Sequence, residues 1–174
     1  MKKLSLITLV AMLFACSTTF AQVTKDQAVA EWTRAKAYTK AYLDAMPADG
    51  YAFKATPEVR SFAEQMLHLA DASYYFLSAA SGKPSPLGQK QAEKTVAHTK
   101  EATTKAVLDS YDYVIATIKA IPDADLSKPV TAEGMKTTKG LLLAKAFEHQ
   151  THHRGQTTPY LRLKGVKPPA EMLF

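Results

Sequence analysis

Three of the five histidines in this chain fall within five residues, in the stretch "EHQTHHRGQTTPYLRLKG" that begins at Glu148. Neutral imidazole is a good ligand for divalent metals of intermediate softness, and its proton comes and goes near neutral pH. On a helix, residues four apart share a face, so His149 and His153 point the same way. His152 is three residues from His149 but is turned away from His153, so the three do not easily serve one ion. A pair at this spacing offers two imidazoles to one cation. The alternative is two half-buried histidines satisfied by neighbouring polar groups at the end of a bundle.

Several familiar sites fail on spacing. A zincin protease needs a glutamate after its first histidine, where this chain has Gln150. Carboxylate-bridged diiron bundles need a glutamate three residues before a histidine, and no histidine here has one. The G-x-S-x-G elbow of serine hydrolases is absent, as is any Gly-rich phosphate loop. A third metal ligand would have to come from another helix. His68, in "EQMLHLADASYYF", sits among Phe62, Met66, Leu69, Phe76 and Leu77; it is either a hydrogen-bonded core residue or that ligand. His98 lies in the charged stretch "EKTVAHTKEATTK" and reads as a solvated surface residue.

The elements that must position these residues are helical almost throughout, with no convincing two-residue alternation. The first helix opens with a capping box, Thr24 and Gln27, carries Val29, Trp32, Ala35, Tyr38 and Leu43 at helical spacing, and stops at Pro47. The second is expected to start at Thr56, with Pro57 and Glu58 in its first turn, and to run to about Ala80 before "SGKPSP". The third is expected over about 89–121, with an interruption near Ser110, and Pro122 closes it. A looser connection, "DADLSKPVTAEGMKTT", leads to a last helix over about 138–164, with Gly165 as a left-handed cap and Pro168-Pro169 beyond. The row containing His149 and His153 continues through Leu142 and Ala146 on one side and Thr157 and Tyr160 on the other. Four such helices make an all-α four-helix bundle.

Residues 1–21 read as a signal peptide and 22–174 as the bundle domain. Lys2 and Lys3 precede an apolar run from Leu4 to Ala15, too short to span a bilayer comfortably, and Thr19 and Ala21 are the small residues before a cut at Gln22. This implies a periplasmic or secreted protein. The alternative is a lipoprotein anchored at Cys16, after "LFA", the one route to a membrane. Cleavage at Ala21 leaves no cysteine, which excludes disulfides, thiolate catalysis and covalent haem attachment. It also lowers the formal charge from +6 to +4, two lysines being lost. The remaining lysines are scattered, and no nucleic-acid partner is expected.

"RSFAEQMLHLADASYYF" followed by "HQTHHRGQTTPYLRLKGVKPP" resembles the DinB/YfiT-like family of small metal-binding bundles, over nearly all of the chain after the leader. The resemblance implies a divalent metal on three histidines, one from the second helix and two from the last, which match His68, His149 and His153. His152 would be the non-ligand histidine, and Arg154, Gly155 and Gln156 complete the signature. Zinc or nickel is expected first, iron or manganese next. The family includes S-transferases that use low-molecular-weight thiols, so the resemblance implies a small-molecule substrate and, in that branch, a thiol. Pro159 departs from the family pattern: it lacks the donor for Gly155 and should kink the last helix.

Whether the protein is an enzyme stays open on this evidence. Three imidazoles leave a coordination position free, which suits a metal-dependent transferase or hydrolase. A non-enzymatic exported metal-binding bundle and a haem-binding bundle are the alternatives, and a homodimer is left open. Gln156 and Glu64, within helical reach of His153 and His68, are the candidates for orienting the rings.

Overall fold

The computed structural model describes residues 23–88 and 91–174. Four long helices form an all-α bundle: α1 Lys25–Ala45, α2 Phe62–Ser81, α4 Lys100–Ala120 and α5 Lys139–Gln156. Two short helices, α3 Ala92–Thr95 and α6 Thr158–Leu163, a hairpin, β1 Pro129–Ala132 with β2 Met135–Thr138, and two single 3-10 turns, Ala48–Gly50 and Asp123–Asp125, complete the described elements. Helix α2 packs against both α4 and α5, and α1 packs against α4. The expected signal peptide and Cys16 lie outside the described residues.

The caps explain most of the boundaries. Thr24 and Gln27 form the expected capping box, with each side chain bonded to the other's backbone N–H. The carbonyl end of α1 has no basic residue in its last turn; Lys100 of α4 supplies the cation, donating to the carbonyls of Asp44 and Met46 at 2.8 Å each. Helix α2 starts five residues later than Thr56 would place it. Ser61 and Glu64 make a second capping box, and the Phe53 and Tyr51 carbonyls accept from Phe62 and Ala63. Those bonds occupy the donors of the first turn, whereas Thr56 forms only a local turn with Val59.

The third helical region is interrupted, but not at Ser110. That serine lies inside α4 and donates to the Val107 carbonyl, which lets a hydroxyl sit in a helix interior. The break falls at 96–99, where Thr99 caps α4 by accepting from Ala102. The connection after Pro122 contains the hairpin. Its two-residue turn, Glu133 and Gly134, has positive φ at both positions, the geometry that suits a tight antiparallel pair. The strands are only four residues long, and Met135 is exposed, so hardly any alternation was there to read.

One core fills the bundle. Trp32 is its largest member and meets the ring edges of Tyr111 and Phe147 at 5.5 and 5.4 Å. A smaller cluster, Ala80, Ile121, Ala132 and Leu142, seats the hairpin against α2 and α5. Gly165 takes its left-handed conformation with Val166 donating back to Leu161, closing α6 as expected.

Candidate metal centre

Helix α2 carries His68 and α5 carries His149 and His153, and the packing of these two helices gathers the three rings, tilted or edge-on to one another. Ring centroids are 4.2 Å apart for His149–His153, 4.5 Å for His68–His153 and 5.3 Å for His68–His149. One ligand nitrogen from each lies within 4.8 Å of the other two. Nitrogens held about 2.1 Å from a tetrahedral zinc sit about 3.4 Å apart. The nitrogens therefore need to close by no more than about 1.4 Å, a side-chain adjustment. His68, His149 and His153 are thus brought together from the two predicted helices and can hold a metal ion.

The environment keeps the pair on α5 uncharged. Burial, then the neighbouring His68 and His152, push His149 down to about 4. Burial, then His149 and His68, push His153 down to about 3. Neutral rings present lone pairs, which is the form a metal takes.

The model described as the DinB family matches residues 18–172. The chain belongs to the DinB family. YjoA of Bacillus subtilis (strain 168) is 24% identical over 145 residues, covering 80% of this chain and 90% of that one. A DinB-like protein from Bacillus cereus ATCC 10987 superposes with a TM-score of 0.76 at 20% identity, over 86% of this chain and 99% of that one. The B. subtilis YjoA structure gives 0.67 at 20% identity, over 85% and 96%. At these identities the two structures speak to the fold, a DinB-like bundle.

Within this DinB bundle the rings are oriented by residues other than the two expected. Glu64 closes the α2 capping box and pairs with Lys54 at 3.3 Å. Gln156 bonds to His152, 2.7 Å between side-chain nitrogens, and to Gln65, not to His153 directly. It is Gln65 whose amide lies 2.9 Å from His153 Nδ1. The atom facing the ring is the amide nitrogen, which also donates to Gln156 Oε1. With the amides of Gln65 and Gln156 both turned over, Gln65 offers Nδ1–H a carbonyl oxygen, Gln156 donates to that same oxygen, and His153 Nε2 is left for a metal. On His68, Nδ1 faces a carboxylate oxygen of Glu93 at 3.7 Å. Gln65 was legible at three residues before His68; Glu93, on a four-residue helix distant in sequence, had no spacing signal. His152 is exposed, and His98 is exposed with its Nε2 3.1 Å from the Glu93 carbonyl.

A cavity of 650 Å³ is lined by Gln65 and Glu93, which touch the histidines, and by Lys54, Arg60, Gln156 and Tyr160 among others; the three histidines are not in its lining. Its charged walls are paired, Arg60 with Glu93 at 2.8 Å and Lys54 with Glu64. Helix α5 ends at Gln156, and the chain turns at Thr157 before α6. Pro159, which cannot donate to Gly155, sits in the first turn of α6, so the bend expected from it lies just beyond the last ligand.

Proposed function

We propose that this DinB-family protein binds one divalent metal ion through His68, His149 and His153, and uses it to act on a small molecule that enters through the charged cavity. The observation that carries this is the meeting of three imidazole nitrogens, from two helices, within 4.8 Å. A purely nitrogen donor set favours zinc or nickel, with iron or manganese behind them, over the hard cations that need oxygen. Such a metal supplies Lewis acidity, polarising a bound electrophile or making bound water or thiol acidic. Three protein ligands leave room for that partner. The chain's one cysteine, Cys16, lies in the expected leader, so in a transferase the thiol is a low-molecular-weight co-substrate; in a hydrolase it is water.

The protein's own groups bind and orient. Gln65 and Glu93 lie against the outer nitrogens of two of these histidines, and the paired charges Arg60–Glu93 and Lys54–Glu64 give a substrate in the cavity polar walls. A haem-binding role would need an imidazole in an apolar slot. The apolar cleft, 500 Å³ beside Trp32 and Phe147, has no histidine among its lining residues. Export remains part of the proposal, resting on the leader-like residues 1–21, and a mature N-terminus at Gln22 found by mass spectrometry is its check.

The decisive experiment is metal analysis of protein purified without a histidine tag. One equivalent of metal is expected. A protein that holds none when purified and takes up none from added zinc, nickel, iron or manganese refutes the site. A protein that holds metal but turns over no ester, epoxide or thiol-acceptor substrate supports the non-enzymatic reading instead.

A further inference from the structure

We propose that Glu93 is a positioning residue for the metal centre, and that Asp71 holds it there by gripping the short helix α3; this rests on the metal reading above. Helix α3 has four residues, far too few to be stable alone. What fixes it is Asp71, a buried carboxylate on α2 that accepts from the backbone N–H groups of Ala92 at 2.7 Å and Glu93 at 3.0 Å. Ala92 is itself buried, so α3 is docked by packing as well as by those bonds. Arg60 then clamps the Glu93 side chain, Nε to Oε1 at 2.8 Å, and leaves Oε2 directed at His68 Nδ1, 3.7 Å away.

The geometry closes on itself. His68 and Asp71 are three residues apart and so share one face of α2. Asp71 takes the backbone of residue 93, and the side chain of that same residue returns to His68. A carboxylate at Nδ1 selects the tautomer with its proton on Nδ1, which leaves Nε2 unprotonated, the form in which it can bind a metal. The 3.7 Å separation is longer than a hydrogen bond, so the bond to the Glu93 carboxylate forms when the ring or the carboxylate shifts to meet the other.

The test measures zinc affinity by competition with a chromophoric chelator, and the tautomer of His68 by nitrogen NMR on metal-free protein at pH 8. Glu93→Gln, which keeps size and removes charge, is expected to weaken zinc about tenfold or more. Glu101→Gln, the same change at an exposed site on α4, is expected to leave affinity within about twofold, since it touches no ligand. Asp71→Asn should weaken zinc in the same direction, and should add nothing in the Glu93→Gln background because it acts through Glu93. His68 should be Nδ1-protonated in the wild type and a tautomer mixture in Glu93→Gln. Glu93→Gln binding zinc like wild type, while His149→Ala does not bind, overturns the positioning role and leaves the metal site standing. A wild type that binds none of zinc, nickel, iron or manganese overturns the metal reading; the His68 tautomer then decides by itself whether Glu93 orients the ring, and an unchanged tautomer in Glu93→Gln overturns that too.

Discussion

Helix α5 presents two sets of inward polar side chains, one residue out of step. His149 and His153 face α2, while Gln150 and Arg154 turn towards α1 and α4. The second set is complete. Gln150 Oε1 accepts from Tyr111 Oη at 2.9 Å and from Arg154 Nη1 at 3.0 Å, Tyr111 pairs with Thr39 at 2.7 Å, and the Arg154 guanidinium lies 4.4 Å over the Tyr38 ring. Donors meet acceptors, and a guanidinium only 6% exposed is tolerated because an amide oxygen and a ring face attend it. The first set brings like groups together: three rings of one kind, two of them held neutral. A network that closes on itself is scaffolding, whereas three imidazoles whose ligand atoms gather in one place could hold a metal ion.

The difference can be broken from either side. The largest effect is expected from His149→Ala or His153→Ala, which should abolish stoichiometric metal, read by metal analysis, while Gln150 and Arg154 variants that stay folded keep it. Next comes Gln150→Leu, which strips the acceptor shared by Tyr111 and Arg154 and leaves a buried cation poorly served; chemical denaturation should show a loss of about 3 kcal/mol. Tyr111→Phe removes one hydroxyl from that network and should cost about 1–2 kcal/mol, with metal content unchanged.

Proton competition gives a sharper test of the histidine side. Two imidazoles of ordinary pKa, about 6.5, would together lose about 14-fold in metal affinity between pH 7.5 and 6. With His149 and His153 pushed down to about 4 and 3, that loss is absent for both, and any fall that remains belongs to the third ligand. Titration of the two rings in metal-free protein, followed by NMR, decides, and midpoints near 6.5 count against the burial of the pair. The same shifts make the metal-free fold acid-sensitive. Because the unfolded chain takes up protons first, stability is retained above about 6.5 and falls as pH drops towards 4 and 3. Thermal melts of metal-free protein check this. The smallest change is expected from His152→Ala, whose side chain is exposed and outside the cluster; metal should stay stoichiometric.

What could be read in advance followed from local rules. Helical spacing paired His149 with His153 and set His152 aside, and the Thr24–Gln27 box marked where α1 begins. His68 needed the family resemblance, since a histidine on an apolar helix has a quieter explanation. The misses were non-local or under-determined. Thr56-Pro57-Glu58 and Ser61 with Glu64 are both good helix starts, and the winner was fixed by carbonyls of Tyr51 and Phe53 that meet it in space. Glu93 reaches His68 only because Asp71 pulls α3 onto α2, a relation between residues 21 and 22 positions apart with no period to reveal it.

The turn at Thr157 has a dynamic consequence. Its hydroxyl and its N–H both go back to the Arg154 carbonyl, so the hydrogen-bond ladder of α5 ends there and that of α6 begins anew. Fraying that starts at the carboxyl end of the chain therefore meets a barrier before it reaches His153. In hydrogen–deuterium exchange, the amides of 160–164 should open as a separate, faster unit, while those of 149–154 exchange only with the bundle as a whole.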